Sequence, residues 1–185
     1  SPYKLFFKDQ FVSYSPECFV KIVSGKIYSY PMKGTISSSV LNAKETVLSN
    51  PKEIAEHATI VDLIRNDLSS YAKLVRVKRF RYVDQITSNN SSLLQVSSEI
   101  EGTLNKDWQG NLGNLIWDML PAGSISGAPK PKTLEIIRSV EDGKRGYYTG
   151  IYGFFDGCNL DSAVAIRFIE KQNKTFYYRS GGGVT

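Results

Sequence analysis

Residues 50–68, Asn50-Pro51-Lys52-Glu53-Ile54-Ala55-Glu56-His57-Ala58-Thr59-Ile60-Val61-Asp62-Leu63-Ile64-Arg65-Asn66-Asp67-Leu68, carry the punctuation of a helix. Asn50 can cap it, Pro51 suits the first helical position, and Glu53 stands three residues after the cap. Ile54, Ala58, Val61, Ile64 and Leu68 recur at helical spacing, which predicts a helix to about Ser70. On both sides the pattern changes to short alternating runs. Upstream, Tyr3–Phe7 with Phe11–Tyr14, and Phe19–Val23 with Lys26–Tyr30, read as hairpins, and Gly34–Ser39 as a polar connection. Downstream, Val75–Ile86 and Leu93–Leu104 read as strands and Gly110–Leu120 as a helix. A Gly/Ser/Pro-rich loop, Pro121–Lys130, leads into a helix from Pro131 to about Val140. Tyr147–Phe155, Ala163–Glu170 and Thr175–Arg179 read as strands, with a turn at Gln172-Asn173-Lys174. Hairpins with interspersed helices predict an α+β fold with largely antiparallel sheets.

The composition agrees with a packed domain. In 185 residues, 41% are hydrophobic and 22% charged, which excludes a disordered, collagen-like or coiled-coil chain. The net charge of +5 suits an anionic substrate, a nucleic acid or solubility alone. Cys18 and Cys158 lack metal-type spacing, so reduced thiols in a cytoplasmic protein are the expectation. No apolar run approaches the roughly 18 residues of a membrane span, and no signal peptide is visible.

Five features could carry chemistry. Glu53 and Glu56 share a helix face with the chain's single histidine, His57, beside them. Two carboxylates so placed repel unless a cation compensates them, and oxygen ligands favour Mg²⁺ or Ca²⁺; a solvated acidic first turn is the plainer alternative. Arg167, in Ala163-Val164-Ala165-Ile166-Arg167-Phe168-Ile169, reads as part of a buried central strand, sharing a face with Ala163, Ala165 and Ile169. There it needs a planar carboxylate, from a ligand or from an internal salt bridge. The loops Gly123–Lys130 and Ser180–Gly183 could present backbone amides to an anion or be tight connections. Lys33, between Met32 and Gly34, is a candidate nucleophile if partly buried and a solvated charge otherwise. The basic run Lys73, Arg76, Lys78, Arg79 and Arg81 could meet nucleic acid, or mark a solvent-facing edge strand.

These segments, taken together and in order, resemble the chorismate-utilising enzyme family, in particular its para-aminobenzoate (aminodeoxychorismate) synthase branch. The resemblance rests on Ser15-Pro16-Glu17-Cys18-Phe19, Pro31-Met32-Lys33-Gly34-Thr35, Glu56-His57 with Ile60–Leu68, and Pro121–Lys130. It continues through Thr149-Gly150-Ile151-Tyr152-Gly153, Asp161–Arg167 and Gly181-Gly182-Gly183. It implies the family's layered α/β/β/α sandwich. It further implies Glu53 and Glu56 as the first half of a Mg²⁺ site that grips a substrate carboxylate, and Arg167 with Tyr148 as ligands of a chorismate carboxylate. Gly181, Gly182 and Gly183 would line the substrate, and Ser124 would sit near the ring. Lys33 decides the branch, because most anthranilate synthases resemble one another in having Ala there. By the resemblance Lys33 is the nucleophile, Glu17 protonates the departing hydroxyl, and ammonia comes from a glutamine amidotransferase subunit.

Three positions depart from the family pattern: Cys18 stands for an Arg, Ile36-Ser37-Ser38-Ser39 for a Pro-Arg segment, and Gln95 for a His. The resemblance also implies that residues 1–185 are a partial domain, truncated at both ends, with the second carboxylate pair in a helix beyond Thr185. On that expectation the piece alone binds Mg²⁺ poorly and is inactive. The competing expectations are an anthranilate or isochorismate/salicylate-type synthase, against which Lys33 argues, and a non-catalytic basic binding domain.

Overall fold

The computed structural model describes residues 1–88 and 91–183. Asn50 caps the long helix as its sequence predicts: its Oδ1 accepts from the N–H groups of Lys52 (3.0 Å) and Glu53 (3.3 Å). This helix, α2, spans Pro51–Ser69 and buries His57, Val61 and Leu68. A shorter helix, α1 (Ala43–Ser49), precedes it. Its C-terminal carbonyls, at Val47 and Leu48, accept from the Arg81 guanidinium, which supplies the partners that a helix end requires.

The strands form two antiparallel sheets, as expected of an α+β chain. The larger is built around β7 (Ser91–Leu104), which pairs along its length with β6 (Ala72–Ser88). On its other side β7 pairs with β4 (Lys26–Ser29) and with β5 (Met32–Ser37). Beyond β4 come β3 (Cys18–Val23), β9 (Leu160–Val164) and β8 (Ile151–Phe155). The smaller sheet has the order β1 (Tyr3–Phe7), β2 (Phe11–Ser15), β10 (Phe168–Gln172), β11 (Thr175–Arg179). Helix α2 packs against β5, β6 and β7.

The main core gathers Ile22, Ile27, Ile100 and Val164 from the larger sheet, Val61 and Leu68 from α2, and Trp108, Leu115 and Met119 from the helical segment after β7. Each fully buried side chain of this size contributes about 1.5–3 kcal/mol. Phe11 and Phe168 stack at 4.5 Å between centroids and anchor a second, smaller core with Ala165.

Three expectations about elements are corrected. The run 110–120 is a 3-10 turn, Trp108–Asn111, followed by α3 (Leu112–Asp118), and residues 123–126 form a short helical turn, α4, before α5 (Lys130–Val140). The strand expected from Tyr147 starts at Ile151, because Tyr147–Thr149 form a turn closed by Tyr148 and Gly150 N–H donating to Arg145 and Tyr147 carbonyls. The strand expected over 163–170 is two strands in different sheets, with a break at Ala165–Arg167. Arg167 has φ 49° and an exposed side chain, so it is neither central nor buried. Among the described residues its side chain has no ion pair.

The basic run lies on β6, an edge strand of the larger sheet. Arg76 pairs with Glu101 (2.6 Å), Lys78 with Glu99 (2.9 Å), and Arg79 lies 3.7 Å over the Tyr82 ring. Much of that charge is therefore matched across the β6–β7 pair. Among the described residues, no helix is long and apolar enough to cross a membrane.

Candidate active site

The larger sheet aims Lys33 through a defect in its own ladder. Met32 opposes Ser97 and Thr35 opposes Gln95, so Lys33 and Gly34 on β5 face a single residue on β7. This is a β-bulge, which redirects a side chain that regular pleating would place elsewhere. Gly34 has φ 91°, which favours glycine, and a Cβ there would stand 3.3 Å from Glu53 Oε2. Lys33 Nζ reaches Glu56 Oε2 at 2.8 Å, while Lys52 lies 3.6 Å from Oε1.

Glu53 and Glu56 are one turn apart on α2, and Glu53 Oε2 is buried with no hydrogen-bond partner among the described residues. Two carboxylates, one with an unsatisfied buried oxygen, suit a hard divalent cation as part of its oxygen shell. Among the described residues no third acid, His or Cys joins them, so water or a bound carboxylate would complete the shell.

His57 supports this corner from behind. It is fully buried, and its Nε2 lies 2.7 Å from Ser98 Oγ, which accepts from the Arg81 N–H. Burial holds the imidazole below its ordinary pKa; the Lys33 backbone offsets part of the shift and the Arg81 charge adds to it. The other ring nitrogen, Nδ1, is buried without a hydrogen-bond partner among the described residues.

Next to the bulge, Glu17, Cys18, Met32, Ile64, Asp67 and Ser124 line a narrow cavity of about 40 Å³ that opens to solvent. Ser124 Oγ donates to Glu17 Oε1. Burial pushes the Glu17 carboxyl above its ordinary pKa, and the Ser124 hydrogen bond opposes the shift without cancelling it. Glu17 can therefore keep a proton at a pH where an exposed glutamate has lost it. Cys18, which departs from the family pattern, lies on the same wall with its thiol pushed up to about 11 by burial. Gln95, the departure in β7, sits opposite Thr35 in the lysine strand.

Lys130 ties the two helical parts together. Its Nζ donates to Asp67 Oδ2 (2.7 Å) and to the Met119 carbonyl (3.1 Å), joining the start of α5 to the end of α2. Neither this strut nor Ser98 and Arg81 stood out in the sequence. Lys130 read as a loop residue and Arg81 as one charge of a basic run.

A third group lies at the smaller core. Tyr148 packs on Phe168, and a Cβ on Gly181 would meet the Tyr148 hydroxyl at 2.8 Å, so a side chain at 181 would displace the tyrosine. The Thr149 N–H donates to the Ala165 carbonyl (2.9 Å) and the Ala165 N–H to the Gly150 carbonyl (2.7 Å). These bonds hold the Tyr148 turn beside the break that carries Arg167. Thr149 (φ 64°) and Arg167 (φ 49°) both adopt left-handed conformations costly for side chains of their kind. Gly182 and Gly183 are exposed, and a Cβ on either would meet nothing within 4 Å. The ten residues singled out for the site thus fall into the lysine–glutamate corner, the Glu17–Ser124 wall, the Tyr148–Gly181 contact, and the exposed Arg167 and Gly182–Gly183.

The whole chain, residues 1–185, matches the family described as chorismate binding enzyme, and it belongs to that family. It is 56% identical over 185 residues to an "uncharacterized PabA-like protein" of Haemophilus influenzae, with all of this chain and 56% of that protein covered. Anthranilate synthase component 1 of Neisseria meningitidis serogroup B is 37% identical over 195 residues, with all of this chain and 38% of that protein covered. The crystal structure of anthranilate synthase component I from Streptococcus pneumoniae superposes with a TM-score of 0.76 at 29% identity, covering 92% of this chain and 38% of that one. The chain spans a little over half the length of the PabA-like relatives it matches.

Proposed function

We propose that the protein containing this chain is the synthase component of an aminodeoxychorismate synthase. It would convert chorismate and ammonia to 4-amino-4-deoxychorismate for para-aminobenzoate and folate synthesis, the ammonia supplied by a glutamine amidotransferase subunit. The observation that carries this reading is a bulge-aimed lysine, Lys33, whose neighbour Met32 lines the same cavity as a protonatable carboxyl, Glu17.

Lys33, as the neutral amine, attacks the ring carbon next to the carboxylate-bearing one. Both ring double bonds shift by one position, the C–O bond to the ring hydroxyl breaks, and the proton held on Glu17 turns the departing hydroxyl into water. Ammonia then adds at the carbon the hydroxyl left, both double bonds return to their original positions, and the bond to the lysine nitrogen breaks, releasing the amine. Ser124, hydrogen-bonded to Glu17, orients the acid toward the ring. Tyr148 and Arg167 are proposed to bind a substrate carboxylate, with the backbone of Gly181, Gly182 and Gly183 lining the same end. Glu53 and Glu56 are proposed to hold Mg²⁺, whose charge would fix the other carboxylate and draw electron density from the ring.

The test uses the full-length protein with chorismate, Mg²⁺ and ammonium, the product being identified by mass and chromatography. Aminodeoxychorismate that disappears in Lys33→Ala is the expected result. Anthranilate as the product, or unchanged amination by Lys33→Ala, overturns the reading.

A further inference from the structure

In this structure the proposed nucleophile and a proposed metal ligand are bound to each other. Lys33 Nζ lies 2.8 Å from Glu56 Oε2, so the ammonium occupies a lone pair that a cation would use. We propose that Lys33 is the resident counter-ion of the Glu53–Glu56 corner: its ammonium and a divalent cation compete for Glu56, so that binding the cation releases Lys33 toward the ring. This rests on the reading of Glu53 and Glu56 as cation ligands.

Three observations support the competition. Glu56 is only 17% exposed, and of its two lysine neighbours Lys33 is the nearer and, at 38% against 69% for Lys52, the less exposed. Water therefore screens Lys33 less, and its charge acts more strongly on the carboxylate. The bulge fixes the Lys33 backbone between the Met32–Ser97 and Thr35–Gln95 pairs, so only rotation of the side chain can remove the ammonium from Glu56. The ammonium also leaves the corner half-satisfied, because Glu53 Oε2 is buried without a hydrogen-bond partner. One divalent cation can bridge both carboxylates, whereas an ammonium and a dication crowded at the same oxygen repel each other.

The competition is measured with Mn²⁺ as the probe. Free Mn²⁺ is counted by electron paramagnetic resonance on the full-length protein without substrate, and Mg²⁺ displacement confirms the site. Lys33→Met is expected to bind Mn²⁺ about tenfold more tightly than the wild type, the scale set by removing a unit charge at this distance. Lys33→Arg should keep the wild-type affinity or weaken it, and Lys52→Met should change it by less than about threefold. Glu53→Gln/Glu56→Gln, placed in the Lys33→Met background, should abolish the tight site. Lys33→Gln repeats the comparison should Lys33→Met fail to fold.

Equal or weaker binding in both neutral variants overturns the proposal. So does tight binding that survives loss of both glutamates, and so does the absence of Mn²⁺ binding in every variant. If the neutral variants bind tightly but the wild type makes no aminodeoxychorismate, the competition stands and the proposed reaction falls. If amination depends on Lys33 without any change in affinity, the competition alone falls.

Discussion

Glu17, Glu53 and Glu56 are the same chemical group in three environments, and the differences separate the roles proposed for them. Glu17 lies against Cys18, Ile64 and Met32 with one hydroxyl donor, and burial lifts its pKa. The sign of the linkage follows. Below about 4.5, the ordinary value for a glutamate, folded and unfolded chains both hold the proton. As pH rises from there to the folded-state pKa, the unfolded chain ionises first and stability is lost. Glu17→Gln is never ionised and escapes that loss. Its melting temperature relative to wild type should therefore rise between pH 4 and pH 8, while its turnover falls by about 10²–10⁴-fold through loss of the acid. A parallel fall of both melting curves with pH would remove the acid assignment. Ser124 pulls the same pKa down, so Ser124→Ala should move the alkaline limb of the kcat profile to higher pH. Lys33 and the two glutamates proposed as cation ligands were legible as motif residues, because a Lys beside Gly and two acids on one helix face leave a pattern in the sequence, whereas Glu17 was legible only through the family resemblance. The setting of Arg167 was not: seven residues with a single charge read as one buried strand, and no local signal marks a left-handed arginine where the chain passes from one sheet to the other.

At the scale of elements, α2 was readable because its start is written in side chains, with Asn50 as the cap and Pro51 at the first position. The seven-residue α1 has neither: Asn42 precedes it in a left-handed conformation without a side-chain cap, and the Arg81 that supports its far end comes from β6, distant in sequence. The β5 bulge is likewise a product of pairing with β7, and it predicts a specific sensitivity. Gly34→Ala must adopt φ near 91° and push against Glu53 and Val47. It should cost about 1–3 kcal/mol in denaturant unfolding, and a change below about 0.5 kcal/mol would show that the bulge relaxes freely. The Lys130–Asp67 strut predicts a second. Its side chains are 16% and 23% exposed, so Lys130→Met or Asp67→Asn alone should cost about 2–4 kcal/mol by leaving a largely buried charge or acceptor unpaired. The double variant should recover much of that loss, and simple additivity of the two single losses would show that the pair is uncoupled.

Over the whole molecule, local hairpins were visible in the sequence but the assembly of sheets was not. β2 meets β10 and β3 meets β9 only because residues far apart in sequence become neighbours, and no periodicity encodes such a pairing. One consequence of that assembly is an apolar face. Phe6 opposes Val12, Val12 opposes Ile169 and Ile169 opposes Tyr178, so one row of the smaller sheet points to a single side. Tyr14 and Phe176, two residues along their strands from Val12 and Tyr178, share that side. Phe6, Tyr14, Phe176 and Tyr178 are 72%, 48%, 70% and 65% exposed, and with Val12 and Ile169 between them they make an apolar surface rich in aromatic rings. The opposite side of the same sheet carries Phe11 and Phe168 into the smaller core, so substitutions on the exposed side should leave folding nearly intact. For residues 1–185 as a folded chain, Phe6→Ser/Phe176→Ser is expected to lower the fluorescence of bound anilinonaphthalene sulfonate and the concentration dependence of light scattering. The shift in melting temperature should stay within that of ordinary surface changes, roughly 0.5 kcal/mol per substitution. Unchanged dye binding would mean that the aromatic row is covered in solution, and a loss of several kcal/mol would mean that these rings belong to the core.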